Sequence, residues 1–352
     1  MQFACRESNI RPVSLNRPND TSAGQTHHQP VRVQTRSFRY DPGRDNLGDA
    51  MTEHLLGQTC ALLAAITWAA AVVLFKRSGE RISPLSLNLF KNTVAIVLLV
   101  VTIASLGGGI RELASFPLQD LALLAFSGVI GIALADTLFF WALNLVGVGI
   151  ISIVDCAYSP LVIFASLLVL PEHLTPSLAV GTGLVLFGVF LSSRHKPPPD
   201  RTRAQVLLGV LLGLLALATM AVGVVFAKLV LNGNNFPLIW ATLLRLLAGT
   251  IALALLVQAS PQRRRHWSVM RPSAIWKVAL PGSVLGGYFS MIFWLAGFKY
   301  TYASVAAILN QMSVVFAVIL ATIFLHEELT RRKVAAIVLA LLGAVVVTWG
   351  AA

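Results

Sequence analysis

The sequence predicts an all-α integral membrane protein of ten transmembrane helices, arranged as two inverted five-helix repeats. Three observations carry this reading. Of the 352 residues, 56% are apolar and only 12% charged, and the mean hydropathy is +0.76. A soluble domain of this size carries about 25% charged residues, so the surplus apolar surface here needs lipid to face. From Leu55 onward, apolar runs recur, each long enough to cross roughly 30 Å of hydrocarbon as a helix. Finally, the two halves of the chain match each other in order.

Before the first apolar run, residues 1–54 form a polar tail rich in Arg, Asn, Pro and Gln, too poor in apolar residues to build a core and expected to be disordered. Met51, just before the first span, is the expected start of translation. The spans then fall at 56–76, 85–106, 118–141, 146–169, 177–193, 206–228, 237–259, 274–297, 302–325 and 333–351. Pro84 and Pro237 stand where the second and seventh helices begin, a position at which a missing amide proton is harmless. The first repeat covers 55–193 and the second 206–352; the linker 194–205 contains the Pro197-Pro198-Pro199 run. Helices are required because backbone groups in lipid must pair internally, and the strand-type alternation of a barrel is absent.

The internal match is gapless between Gly57–Lys76 and Gly209–Lys228, with Gly57/Gly209, Ala64/Ala216, Thr67/Thr219 and Lys76/Lys228 in register. Further on, Leu170-Pro-Glu-His-Leu-Thr175 aligns with Leu325-His-Glu-Glu-Leu-Thr330. Five helices is an odd number, so the second copy starts from the opposite face of the membrane. The short loops give the orientation: Lys76, Arg77, Arg81, Arg194, Lys196, Arg201, Arg203, Arg263–Arg265, Arg271 and Arg331–Lys333 fall on one side. Apart from the arginines of the N-terminal tail, Arg111, Lys228 and Lys299 are the basic residues of the other. Positive-inside places the first set in the cytoplasm, in a multi-pass protein of a cell inner membrane or plasma membrane.

These features together resemble the EamA-type members of the drug/metabolite transporter superfamily. They are a small-residue first helix starting with Gly57, Pro84 opening the second, and an acidic hinge between the fourth and fifth, followed by a Gly-containing helix. The family's common hinge reads Leu-Gly-Glu-x-Leu-Ser/Thr; here Pro171 and His326 replace the Gly. The resemblance covers residues 55–351 and implies a ten-helix carrier that exports amino acids, metabolites or drugs through a cavity between the halves.

Charged groups deep in the bilayer cost about 2.5–3.5 kcal/mol on insertion scales, so they face the bundle interior or water. Asp136, Asp155, Lys91 and Arg245 are the four such groups away from helix ends. Asp136 and Asp155 are candidates for binding a cationic group or relaying protons; two acids and two bases also permit full ion pairing that only fixes helix packing. Asn310 occupies the repeat position of Asp155 and is followed by Gln311, which suggests that the fourth and ninth helices line a common path. Pro160 and Pro281 are candidates for helix kinks, Pro160 freeing the Cys156 carbonyl. Tyr158 and Trp294, with Trp68, Trp141 and Tyr288, are candidates to stack on an organic substrate or to serve as plain packing. Small residues at four-residue spacing, such as Gly209/Gly213, allow close helix approach within the chain or in a homodimer.

The expected function is therefore a secondary transporter, an exporter of small polar metabolites, amino acids or organic cations working by alternating access, with proton coupling through Asp136 or Asp155. A lipid or lipid-linked sugar flippase and a non-transporting scaffold are the alternatives. The expected partners are the small-molecule substrate and the lipid bilayer. Nucleic acid is not expected despite the net charge of +12, because the basic residues cluster between apolar runs. No Walker sequence is present, and all seven histidines lie in the tail or loops, so neither an ATPase nor a His-Glu-x-x-His metalloenzyme is expected. Three scattered cysteines, Cys5, Cys60 and Cys156, make no disulfide framework or metal set, and no cofactor is expected.

Overall fold

A computed structural model describes residues 47–79, 81–107, 109, 113, 116–170, 172–192, 202–233, 236–325 and 331–350. Most of the N-terminal tail, the triple-proline linker, Arg111, Pro171 and the second hinge, His326–Thr330, lie outside the described residues. Helices account for nearly all the rest. The first repeat contains α1 (Leu47–Gly79), α2 (Pro84–Ser105), α3 (Leu118–Gly128), a π-helical turn (Val129–Leu134), α4 (Ala135–Asp155), α5 (Tyr158–Val169) and α6 (Pro176–Ser192). The second contains α7 (Arg203–Gly233), α8 (Leu238–Ala259), the short α9 (Arg263–Trp267), α10 (Trp276–Ser283), a second π-helical turn (Val284–Phe289), α11 (Ser290–Tyr300), α12 (Ala303–Asn310), α13 (Met312–Leu325) and α14 (Arg331–Trp349).

Among the described residues, six helical stretches are long and apolar enough to cross a membrane: Met51–Gly79, Pro84–Ser105, Leu118–Val146, Arg203–Asn232, Leu238–Ala259 and Trp276–Tyr300. Shorter apolar helices cover Tyr158–Val169, Pro176–Gly188, Ala303–Phe316 and Ile337–Trp349. The lipid-compatible surface is direct: Val97, Val101, Phe164, Leu168, Leu255 and Leu256 are all exposed.

Three boundaries differ from the sequence reading. Helix α1 begins at Leu47 and so takes in residues 47–54 of the tail expected to be disordered. Helical backbone also runs unbroken within α4 through residues 142–150, whereas a connection between the third and fourth spans was expected at 142–145. That stretch holds glycines but no proline, and its amides keep their partners. The interruption comes instead at Cys156–Ala157, so the fourth span is not one helix over 146–169. Pro160 is the third residue of α5, in the first turn where its missing N–H leaves no bond unmade. Its side is exposed, whereas Asp155 is half-buried.

The helix starts are locally encoded. Ser83 caps α2, its hydroxyl accepting from the Ser86 amide, with Pro84 as the first helical residue. Pro237 stands immediately before α8, at its cap position and without a side-chain cap bond. Repeat-matched Thr67 and Thr219 bond back to their own helices identically, Thr67 to the Leu63 and Ala64 carbonyls and Thr219 to those of Leu215 and Ala216.

Packing runs chiefly between the repeats and comes in matched pairs. Helix α1 packs on α11, and its counterpart α7 packs on α4; α2 packs on α8, α5 on α12, and α6 on α14. Glycine sets the closest crossings. A Cβ on Gly223 would lie 2.9 Å from the Gly131 Cα, and one on Gly181 would meet the Gly343 carbonyl oxygen at 2.8 Å. The two π-helical turns are 155 positions apart, one centred near Gly131 and the other near Gly286. The interruption at Cys156–Ala157 likewise has its counterpart at Gln311, between α12 and α13.

Candidate functional site

The interior polar groups follow from these interruptions. A helix that ends in mid-bundle leaves carbonyls without amide partners. At the end of α4 the Asp155 carbonyl accepts a bond from Gln311 Nε2 at 2.5 Å, and Gln311 itself sits at the break between α12 and α13. The side chain at the second break thus satisfies a carbonyl freed at the first. Ser159, just past the first break, donates to the Ala307 carbonyl at 3.2 Å and holds α5 against α12. The Asp155 side chain stays on the wall of a central cavity.

That cavity, about 110 Å³, lies among α1, α2, α4, α5, α7, α8, α11, α12 and α13, with both π-helical turns in its wall. Its lining is built from repeat-matched positions: Trp68 and Met220, Gly131 and Gly286, Asp136 and Met291, Phe139 and Trp294, Asp155 and Asn310, Tyr158 and Ser313. Each pair is separated by 152 or 155 residues, so the space lies where the two repeats face each other. All eight residues singled out from the sequence as substrate-path candidates border it: Asp136, Asp155, Lys91, Arg245, Asn310, Gln311, Tyr158 and Trp294. Trp68 joins them. Trp141 is half-exposed on the outside, and Tyr288 is held by Thr102 through a 2.6 Å hydrogen bond away from the lining. Pro281 lies inside α10, three residues before the second π-helical turn, and is exposed.

The charges divide unequally. Lys91 and Asp136 form a buried ion pair at 2.6 Å, the ammonium lying 5.7 Å from the Phe140 ring and 6.0 Å from Trp68. Full pairing of the two acids with the two bases does not occur. Arg245 is 1% exposed and its guanidinium lies 5.1 Å from the Trp294 ring centroid. The backbone around it is equally tight: Gly128 and Gly131 pack directly on Arg245, and Ser127 donates to the Gly223 carbonyl at 2.5 Å.

A second polar cluster was not singled out as a site in the sequence. The Glu172 carboxylate accepts from the Ala303 amide at 2.6 Å, the Ser304 amide at 3.1 Å and the Ser304 hydroxyl at 2.9 Å. It therefore caps the start of α12, where free amides and the helix dipole favour an anion. Lys228 Nζ is 3.8 Å from the same carboxylate and donates to the Phe298 carbonyl at 2.9 Å and to the Thr301 carbonyl. Both residues stand in repeat-matched sequence, Glu172 in the acidic hinge and Lys228 opposite Lys76, and that was the available signal. Outside the spans, His266 of α9 is buried against the start of α2, its Nδ1 3.0 Å from both the Ser83 and Ser86 hydroxyls. Burial and the neighbouring Arg265 lower its pKa below the usual imidazole value.

Known proteins bear out the two-repeat architecture. The model of the EamA-like transporter family matches residues 55–194 and again 207–349. A curated relative, the uncharacterized transporter YoaV of Bacillus subtilis (strain 168), is 25% identical over 139 residues, which cover 40% of this chain. The match spans 47% of that protein, about half its length. One solved crystal structure has a TM-score of 0.69 and 17% identity, covering 84% of this chain and 97% of its own, a likeness of fold. With the apolar helices, these matches make the protein a multi-pass membrane protein, and the family is one of transporters rather than enzymes. The chain belongs to the EamA-like transporter family.

Proposed function

We propose that the protein is a secondary transporter that exports a small polar organic solute, the central cavity being the site that alternates between the two membrane faces. The observation that carries this is the composition of the cavity wall. Most of its lining positions come in repeat-matched pairs, so rocking one repeat against the other opens the same site to either side. In this reading the six long apolar stretches and the four shorter ones are the ten spans, and five spans per repeat invert the second repeat relative to the first. The exposed arginines of α9, Arg263, Arg264 and Arg265, mark the cytoplasmic face by the positive-inside rule.

Within the cavity, Asp155 is the candidate for coupling to protons. Asp136 already has Lys91 as its partner, whereas the Asp155 side chain borders the cavity beside the crossing of two interrupted helices. The test is accumulation of labelled amino acids, carboxylates and organic cations in cells that express the protein, with wild type compared against Asp155→Asn at equal expression. A changed level of one compound that Asp155→Asn abolishes supports the reading. Unchanged levels across the panel, for both proteins, contradict it.

A further inference from the structure

The polar groups of the cavity are unequal in another respect: some of its buried donors have no acceptor among the described residues. Lys91 is satisfied by Asp136. Arg245 is not. No described residue accepts a hydrogen bond from its Nε, Nη1 or Nη2, although the residue is 1% exposed. The guanidinium carbon lies 5.1 Å from the Trp294 ring centroid, a contact that occupies none of its N–H donors. Gly131 lines the cavity beside it, where a Cβ would make an ordinary contact with Nη2 at 3.4 Å. Asn310 Nδ2, on the same cavity, is a second buried donor without an acceptor among the described residues.

A buried guanidinium is strongly disfavoured unless an anion pairs with it. Its planar fork matches a carboxylate with two parallel hydrogen bonds. From these observations we infer that the cavity takes its solute by a carboxylate group seated on Arg245, with Asn310 donating beside it and the apolar part of the solute along Trp294 and Phe139. This rests on the reading of the cavity as the transport site and narrows it. The single guanidinium shares the cavity with the Asp155 carboxylate, which suits a monoanion or a zwitterion over a dianionic phosphate. The cavity holds about eight waters at roughly 10–15 Å³ of such volume for each, which sets the scale of the solute. An organic cation would place its charge against the unpaired arginine.

The test uses the purified full-length chain in detergent and follows thermal unfolding with matched pairs of acids and amides. The pairs are benzoate and benzamide, pyruvate and pyruvamide, L-leucine and L-leucinamide, and L-phenylalanine and its amide, with benzyltrimethylammonium and inorganic phosphate alongside. At least one acid is expected to raise the midpoint in a saturable way, with its amide at least tenfold weaker. Arg245→Gln should lose that response while melting at or above the wild-type midpoint without ligand, because it removes an unpaired buried charge. Arg245→Lys should keep a weakened response. The inference is overturned if none of the acids shifts the midpoint, or if the amides, the ammonium or phosphate match them. It also fails if Arg245→Gln keeps the response, or if it melts well below wild type or does not fold, since the arginine would then be structural. Cellular export of an uncharged or cationic solute that depends on Asp155 would leave the transporter reading standing and remove the carboxylate.

Discussion

Replacing Glu172 tests whether the start of α12 is fastened from the opposite repeat. The carboxylate makes three hydrogen bonds, to the Ala303 amide, the Ser304 amide and the Ser304 hydroxyl, and faces Lys228 at 3.8 Å. Glu172→Ala strands two buried amides and leaves the Lys228 ammonium without its acid, although its two carbonyl partners remain. Breaking a buried charge pair by removing one partner costs about 3–5 kcal/mol. Bonds to charged groups are worth about 1.5–3 kcal/mol each, but the three act on one carboxylate and do not add. The retained carbonyl bonds to Lys228 place the expected loss at about 4 kcal/mol, in the middle of the buried-pair range. At about 2–4 °C per kcal/mol, the midpoint should fall by roughly 10 °C. Glu172→Gln keeps the shape and one acceptor oxygen, so a loss of about 1–3 kcal/mol is expected. Thermal unfolding of the purified protein in detergent measures all three, and the order wild type, Gln, Ala is the expected result. If Glu172→Ala melts with the wild type, the carboxylate does not fasten α12 and the assignment is wrong.

Three further outcomes follow from the same structure. Lys91→Met strands the buried Asp136 carboxylate and should destabilise by about 3–5 kcal/mol, while Lys91→Met combined with Asp136→Leu should recover most of that loss. Unfolding midpoints of the single and double variants, followed by transport with the double variant, separate the packing role of the pair from any role in the path. His266 should make stability fall with acid. Its folded pKa is lowered, so the unfolded chain takes up the proton first; the contribution is complete above the usual imidazole pKa of about 6.5 and is lost as pH falls through the folded value. Melts from neutral to mildly acidic pH should show that drop in wild type and a smaller one in His266→Gln. Finally, Gly223→Ala places a methyl against the Gly131 backbone and should cost about 1–3 kcal/mol, with unaltered stability in a melt as the contrary result.

Much of this fold was legible in the sequence because membrane spans are written in composition. Runs of apolar residues from Leu55 onward and the Pro84 and Pro237 helix starts required no knowledge of packing. The repeat was legible from Lys76/Lys228 and the two acidic hinges, and it pointed to Asp155 and Asn310 as partners at one depth. What failed was local. The break at Cys156–Ala157 lies just upstream of Pro160, so the proline marked the neighbourhood and not the residue. The break at Gln311 has neither proline nor glycine beside it; it depends on the Asp155 carbonyl reaching across from α4, a contact between residues 156 positions apart. The π-helical turns were equally silent, since the glycines at 131 and 286 read as ordinary small residues until the two turns are set side by side.

The pairing of charges was also beyond the sequence. Asp136 and Asp155, like Lys91 and Arg245, are equivalent as letters, and only the rotation of each helix decides that Lys91 takes Asp136 and Arg245 takes Trp294. Glu172 shows the converse. It was visible in the hinge motif, but its bond to the start of α12 depends on the other repeat being folded against it.

The most direct test of the central claim is access to the cavity from each side of the membrane. Met220, on the wall contributed by α7, is replaced by cysteine in a chain whose three native cysteines are changed to serine or alanine. The protein is reconstituted in sealed vesicles of known orientation and treated from either face with a membrane-impermeant thiol reagent. The account predicts labelling from both faces, with protection by a carboxylate that stabilises the protein. Labelling from neither face or from one alone, in protein shown to be folded, would contradict an alternating central site.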